Sequence, residues 1–249
     1  MGLAALLAVG VGQSRVSADE TFTWSGLLIT GESGVEYPNF TPEGEATYSI
    51  SGNTLTIELT YTGGSETIMG INQTLSGLTW DLEGYTGTLT ADSAVMGAGS
   101  TLIGVDAGSW TGGTDLSGQW AYSDSISESG LGSYGVGAVG GDPELFGHHD
   151  IIDSNETMVN PAPGGIDFAL VGPDVDLNHD GFRNQGPIVQ NSMIFTFTFT
   201  GTLTEDMITN VMPLFGSAGA PLTPEPATIV IFGAGLVGAR FAARRWRQD

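Results

Sequence analysis

Residues 54–62 read Thr-Leu-Thr-Ile-Glu-Leu-Thr-Tyr-Thr, and residues 193–203 read Met-Ile-Phe-Thr-Phe-Thr-Phe-Thr-Gly-Thr-Leu. In both stretches apolar side chains recur at every second position, with threonine or glutamate at most of the positions between them. Successive side chains of a β-strand point to opposite faces of the sheet. The pattern therefore predicts two strands that each have one buried and one solvated face.

Shorter strand candidates lie on both sides of these two stretches, at 21–30, 45–51, 66–71, 85–90, 100–105, 118–123 and 166–171. Turn signals separate them: Gly63-Gly64, Gly112-Gly113, Gly140-Gly141 and Gly164-Gly165. Many short strands with such punctuation are typical of sandwiches and jelly rolls. We therefore expect residues 19–216 to form a mainly β domain, an antiparallel, jelly-roll-like β-sandwich. Residues 204–211 alone carry a helix-start signal, a hydroxyl followed by acidic residues.

Composition restricts the partners of this domain. The 249-residue chain has 28 acidic and 6 basic residues, a formal net charge of −22, and 39 glycines but no cysteine. Such a negative surface repels phosphate backbones, so we expect no nucleic-acid partner. The absence of cysteine excludes disulfides, thiolate metal sites and a cysteine nucleophile.

The N-terminal residues have the pattern of an export signal. An apolar run at 3–11 leads to Val16-Ser17-Ala18, a small-residue ending that suits signal-peptidase cleavage before Asp19. The run lacks the positively charged region that normally precedes it. Residues 1–18 are therefore interpreted as a signal peptide with a misassigned start, and the alternative is a disordered end.

The C-terminal residues form three consecutive features after a linker at 217–223. Pro224-Glu225-Pro226 comes first, followed by an apolar segment without charge at 227–239. Four arginines follow: Arg240, Arg244, Arg245 and Arg247. A helix from Ala227 to Trp246 would span about 30 Å, the thickness of a bilayer's hydrocarbon core. The arginines would stay in the cytoplasm and leave the acidic domain outside. The sequence thus predicts a single C-terminal transmembrane helix.

This order of features resembles the PEP-CTERM sorting signal. The resemblance covers residues 224–249 and implies recognition by an exosortase, a membrane-embedded processing enzyme of certain Gram-negative bacteria. It further implies a transient stay in the inner membrane, removal of the tail, and delivery to the outer surface or to exopolysaccharide. Residues 186–193, 195–200, 208–211 and 215–216 are also similar to the last strands of many exosortase-sorted surface proteins.

A candidate calcium loop follows at 174–182. Asp176, Asn178 and Asp180 precede Gly181 in the order D-x-N-x-D-G. Alternating oxygen ligands before a glycine turn suit Ca²⁺. The Phe182 carbonyl and Asp174 are the further candidate ligands, because Pro187 replaces the bidentate glutamate of an EF-hand. The alternative is an acidic turn whose side chains cap their own backbone.

Two further sets of residues could carry other chemistry, a histidine–aspartate cluster and an aromatic set. His148, His149, Asp150 and Asp153 contain zinc-ligand types, but neighbouring histidines on a strand point to opposite faces, which favours a polar loop. An aromatic set would suit sugar stacking or the domain core: Trp24, Trp80, Trp110, Trp120, Tyr85, Tyr122 and Tyr134. No G-x-S-x-G motif surrounds a serine, and we expect no catalytic residues and no cofactor other than calcium.

The sequence therefore indicates an exported, non-enzymatic surface or matrix protein with a structural or adhesive role in an envelope or biofilm. A carbohydrate-binding module or glycan-active enzyme is one alternative. A membrane-anchored protein that is never processed is the other.

Overall fold

The computed structural model describes the body of the chain in segments: residues 19–25, 42–64, 74–104, 112–138, 146, 152, 167–173, 175, 187–216 and 220–221. Within them the protein is mainly β. The thirteen strands are β1 Asp19–Ser25, β2 Pro42–Ser51, β3 Thr54–Gly64, β4 Leu75–Leu82, β5 Leu89–Met96, β6 Thr101–Ile103, β7 Trp120–Ser123, β8 Tyr134–Ala138, β9 Leu170–Val171, β10 Ile188–Gln190, β11 Ser192–Phe199, β12 Ile208–Phe215 and β13 Ala220–Pro221. Two 3-10 turns, Ser117–Gln119 and Glu205–Met207, are the only helical elements in these segments.

The first sheet has five antiparallel strands in the order β1-β2-β3-β11-β5. Two of its three interior strands, β3 and β11, are the stretches that alternate most regularly in the sequence. One cross-strand row contains one buried residue from each strand: Phe22, Ala46, Leu59, Met193 and Met96. Threonines lie between such buried positions along β3 and β11, which is why these strands have one apolar and one polar face.

The second sheet has eight strands. Its main path is β13-β12-β4-β9-β10-β6, and β8 pairs with both β4 and β7. β4 is central, because β12 lies on one side of it and β8 and β9 lie on the other. β9 and β10 run parallel, the one departure from the antiparallel arrangement expected for the described strands. Their connection passes through residues 172–187.

Aromatic contacts join the two sheets into one core. Trp80 of the second sheet contacts Tyr48 and Phe197 of the first, with ring centroids 6.1 and 5.8 Å apart. Trp120 lies 4.9 Å from Phe195, and Tyr61 lies 5.9 Å from Phe215. Edge-to-face pairs at these separations are the favoured aromatic geometry. The mainly β prediction is therefore confirmed, with two sheets packed face to face.

Most of the predicted strands that the structure describes are present. The strand predicted at 54–62 is β3, and those at 45–51, 100–105, 118–123 and 166–171 overlap β2, β6, β7 and β9. The strand predicted at 193–203 ends earlier, at Phe199, because Gly201 turns the chain with a φ of +79°. The strand predicted at 85–90 begins only at Leu89, because residues 83–88 form the turn after β4.

The helix-start signal at 204–211 does not lead to an α-helix. Only Glu205–Met207 form a 3-10 turn, and β12 starts at Ile208. Thr204 makes no side-chain cap, and the Glu205 carboxylate instead accepts a hydrogen bond from the Ile50 amide at 3.2 Å. Pairing of Ile208 with Leu82 satisfies the backbone in the sheet, so tertiary context overrides the local signal.

β4 was missed for an identifiable reason. Seven of its eight residues are buried, so both faces of the strand are covered. Gly132 allows close packing here, because a Cβ at that position would lie 2.2 Å from the Trp80 carbonyl carbon. Apolar and polar residues alternate only from Leu78 to Leu82, after Ser76-Gly77, and this short stretch gives a weaker period-2 signal than β3 does.

Several predictions fall outside the described residues: the signal peptide at 1–18, the strand at 66–71 and the transmembrane segment. Of the predicted linker, only Ala220–Pro221 is described, and it pairs with β12 as β13. No helix among the described residues is long and apolar enough to cross a membrane.

Replacing Phe197 by alanine tests the shared core. The ring is fully buried and contacts both Trp80 and Tyr122, so we expect Phe197→Ala to lower the free energy of unfolding by about 3–5 kcal/mol. Thr198→Ala, on the exposed face of the same strand, should cost less than about 1 kcal/mol. Urea unfolding measures both, and equal losses would contradict the assignment of the two faces.

Candidate functional site

The described tryptophans of the predicted sugar platform belong to the core. Trp80 and Trp120 are fully buried, and Trp24 is 8 % exposed. None of the three offers a free ring face for stacking on a ligand, so this part of the stacking hypothesis is wrong. Trp110 lies outside the described residues. The described tyrosines of the set, Tyr85, Tyr122 and Tyr134, are half-buried.

One of these tyrosines lines a groove of about 320 Å³, which we call the seam groove. It lies where β5, at the edge of the first sheet, meets β7 and the residues after it in the second sheet. Its lining includes Thr90 from β5 and Tyr122, Ser123, Asp124, Ser125 and Ile152 from the other side. The groove thus combines an aromatic ring, three hydroxyls and one carboxylate.

Tyr122 is held in place from two directions. Its ring packs against Phe197 with a centroid separation of 5.3 Å, and its hydroxyl donates a hydrogen bond of 3.2 Å to the Leu89 carbonyl. That bond connects the second sheet to the first at the groove. Burial, followed by the negative charge of Asp124, raises the pKa of Tyr122 well above its usual value, so the phenol is neutral and able to donate.

The surroundings of the groove are acidic and aromatic. Burial and then the charges of Asp124 and Asp81 raise the pKa of Tyr134, whose ring stacks on Trp80 at 6.4 Å. Asp81 is occupied, because it accepts hydrogen bonds from Ser133 and from the Asn210 amide. Asp124 is exposed and makes no hydrogen bond with the other described residues. It is therefore the carboxylate in this region that can meet a ligand.

Two features of the sequence lie at this site. Tyr122 belongs to the aromatic set, and the polar run Ser123-Asp124-Ser125, which the sequence analysis does not single out, follows it at the end of a strand, where binding residues often lie. Thr90 was missed because it comes from another strand about thirty residues earlier in the chain. Only the pairing of the sheets brings the two segments together.

The candidate metal ligands lie outside the described residues. They are Asp174 and residues 176–182 of the predicted calcium loop, and His148, His149, Asp150 and Asp153, for which the sequence favours a polar loop. Among the residues that the structure does describe, no three acidic or histidine side chains are grouped for a metal. The flanks of the calcium loop are described: the Phe168 amide donates to the Pro187 carbonyl at 2.6 Å, and the Gln190 side-chain amide donates to the Pro173 carbonyl at 3.4 Å. The loop therefore starts and ends on neighbouring, hydrogen-bonded strands.

The sorting residues also lie outside the described part, so they are assigned by comparison with known proteins. A mainly β body followed by Pro-Glu-Pro, an apolar segment and an arginine cluster defines the class, an exported protein with a C-terminal sorting signal. Residues 222–247 match the family model described as the PEP-CTERM protein-sorting motif. The chain therefore carries a PEP-CTERM sorting signal, as the resemblance indicated, and this implies processing by an exosortase and a surface or extracellular location.

The match covers the C-terminal segment alone and assigns no activity to the body. No curated protein and no solved structure matches the chain.

Removing single hydroxyls tests the geometry of the groove. Tyr122→Phe loses the bond to the Leu89 carbonyl, so we expect the free energy of unfolding to fall by about 1 kcal/mol. Tyr48→Phe is the matched control, because the buried Tyr48 hydroxyl has no hydrogen-bond partner among the residues that the structure describes. Its removal should leave stability unchanged or raise it by about 1 kcal/mol. Denaturant unfolding measures the stability of both variants. A Tyr122→Phe protein as stable as wild type would contradict the hydrogen bond to the Leu89 carbonyl.

Proposed function

We propose that the protein is an exported, non-enzymatic surface or matrix protein whose jelly-roll-like β-sandwich has a structural or adhesive role in an envelope or exopolysaccharide biofilm. The observation that supports this most strongly is the PEP-CTERM motif at residues 222–247. The formal net charge of −22 supports it too, because such a surface keeps the domain soluble and repels nucleic acid.

The tail would act in three steps along its length. Pro224-Glu225-Pro226 forms the recognition sequence for the exosortase. Residues 227–239 would transiently span the inner membrane as part of a single helix, since the segment contains no charged residue. The arginines at 240, 244, 245 and 247 stay on the cytoplasmic side, and their long side chains reach the head groups.

Residues 1–18 would act as the export signal, with cleavage after Ala18. The described residues begin at Asp19, which pairs with Ser49 of β2, so this cleavage would leave every described strand intact.

A glycan-active enzyme is the alternative to this non-enzymatic role. Glycoside hydrolysis typically needs two carboxyl groups that flank the bond to be broken. The seam groove contributes one carboxylate, Asp124, from its described lining residues.

We also propose that Asp174, Asp176, Asn178, Asp180 and the Phe182 carbonyl bind a calcium ion. The anchored flanks of the loop support this, since both ends are hydrogen-bonded near β9 and β10. Val175, the described residue between Asp174 and Asp176, packs against the core. Extracellular calcium at millimolar concentration would suit a site with few charged ligands.

Replacing Arg244, Arg245 and Arg247 by alanine tests the sorting signal. Without this positive cluster the orientation of the membrane segment is lost, so we expect the precursor to remain unprocessed in the cells that produce the protein. Arg183→Ala, the control, removes the arginine of the body and should leave processing unchanged. Fractionation and immunoblotting of precursor and mature forms measure this, and normal processing of the triple variant would contradict the mechanism.

Replacing Asp176 by asparagine tests the calcium loop. Calcium should raise the melting temperature of the wild-type chain at millimolar concentration by mass action, and Asp176→Asn should remove most of that gain. Asp206→Asn, an exposed aspartate in the 3-10 turn before β12, should retain it. A melting temperature of wild type that is the same with calcium and with a chelator would show that the loop is an acidic turn.

A further inference from the structure

We propose that the seam groove binds one unit of a neutral saccharide chain. The inference adds a ligand class for the body to the proposed surface role. It rests on the proposed function only because the cell surface or matrix is where the protein would meet the saccharide. It is carried by the lining of the groove and by its place between the two sheets.

The aromatic part of the groove suits the apolar face of a sugar ring. A pyranose presents C–H groups on its faces and hydroxyls around its rim, and a tyrosine ring offers a matching flat, amphipathic surface. Tyr122 is fixed beforehand by Phe197 and by its bond to the Leu89 carbonyl. Little side-chain freedom would be lost on binding, which favours affinity in a shallow site.

The polar part of the groove suits the rim of the same ring. Asp124 supplies a carboxylate that only accepts hydrogen bonds, while Thr90, Ser123 and Ser125 supply hydroxyls that donate and accept. Sugar hydroxyls also donate and accept hydrogen bonds. They can therefore donate to Asp124, and both donate to and accept from the three side-chain hydroxyls. A hydrogen bond to a charged group is the stronger kind, which makes Asp124 the main polar determinant.

Charge and size restrict the saccharide further. The chain carries a net charge of −22 and the groove contains a carboxylate, so polymers rich in uronic acid or sulfate are repelled. The volume of about 320 Å³ lies at the lower end of the range for small-molecule sites. A single sugar unit of a longer neutral chain fits these limits, with the neighbouring units outside the groove.

Calorimetry on the full-length chain tests the proposal, with cellohexaose, mannohexaose and maltohexaose as neutral probes. Hexagalacturonic acid is the acidic comparison, and choline is the probe for a cation site, since acids beside an aromatic ring also suit quaternary ammonium. We expect saturable binding of at least one neutral hexaose and no binding of the acidic one. Asp124→Asn should weaken that binding about tenfold or more, because a charge-assisted hydrogen bond is lost.

Two further variants keep the result interpretable. Tyr122→Ala should abolish binding, and Tyr122→Phe, which keeps the ring, should retain most of it. Asp206→Asn is the control for loss of one negative charge and should bind like wild type, and far-UV circular dichroism checks that each variant is folded.

Three results would overturn the proposal: no neutral hexaose binds at millimolar concentration, only choline binds, or Asp124→Asn binds as tightly as wild type. Because Asp124→Asn leaves the C-terminal tail untouched, its processing by the exosortase should be normal. Failure of saccharide binding is therefore distinguishable from failure of the sorting mechanism.

Discussion

Trp80 is the residue on which the two sheets depend. Its indole lies in the central strand of the second sheet and contacts Tyr48 and Phe197 of the first, while Tyr134, its cross-strand neighbour on β8, stacks against it. Gly132 allows the chain to pass against the Trp80 backbone, where a side chain would collide. The core also connects with the seam groove, because Phe197 touches both Trp80 and Tyr122. Packing that holds the sheets together thus also fixes the ring that we assign to ligand binding.

The β body and the C-terminal tail differ in composition. Most large aromatic side chains of the described residues lie in one core, while threonines and acids lie on the outer face of the first sheet, where they meet water. Such a surface suits a protein that works outside the cell and avoids nucleic acid. The tail has the opposite composition, apolar and then basic, and it carries the sorting information. Residues 222–247 therefore carry the information on location, and we assign the function at that location to the body.

Sequence reasoning succeeded where a pattern is local and failed where tertiary contacts decide. The alternation that predicts β3 and β11 is long because one face of each is buried and the other is not, whereas β4 is enclosed on both faces and alternates only from Leu78 to Leu82. The helix-start signal at 204–211 is overridden by the pairing of β12 with β4. The seam groove needs Thr90 and Tyr122–Ser125 side by side, which no spacing along the chain reveals. The sorting tail, by contrast, is a linear signal, so its residues could be named from the sequence alone.

The central claim is that the C-terminal segment is a sorting signal that is read and then removed. Mass spectrometry of the terminal peptides of the mature native protein tests it most directly. The account predicts a mature C-terminus close to Pro224–Pro226, with the apolar segment and the arginine cluster absent. A chain that extends intact to Asp249 and stays in the inner membrane would contradict it, and the tail would then be a plain membrane anchor.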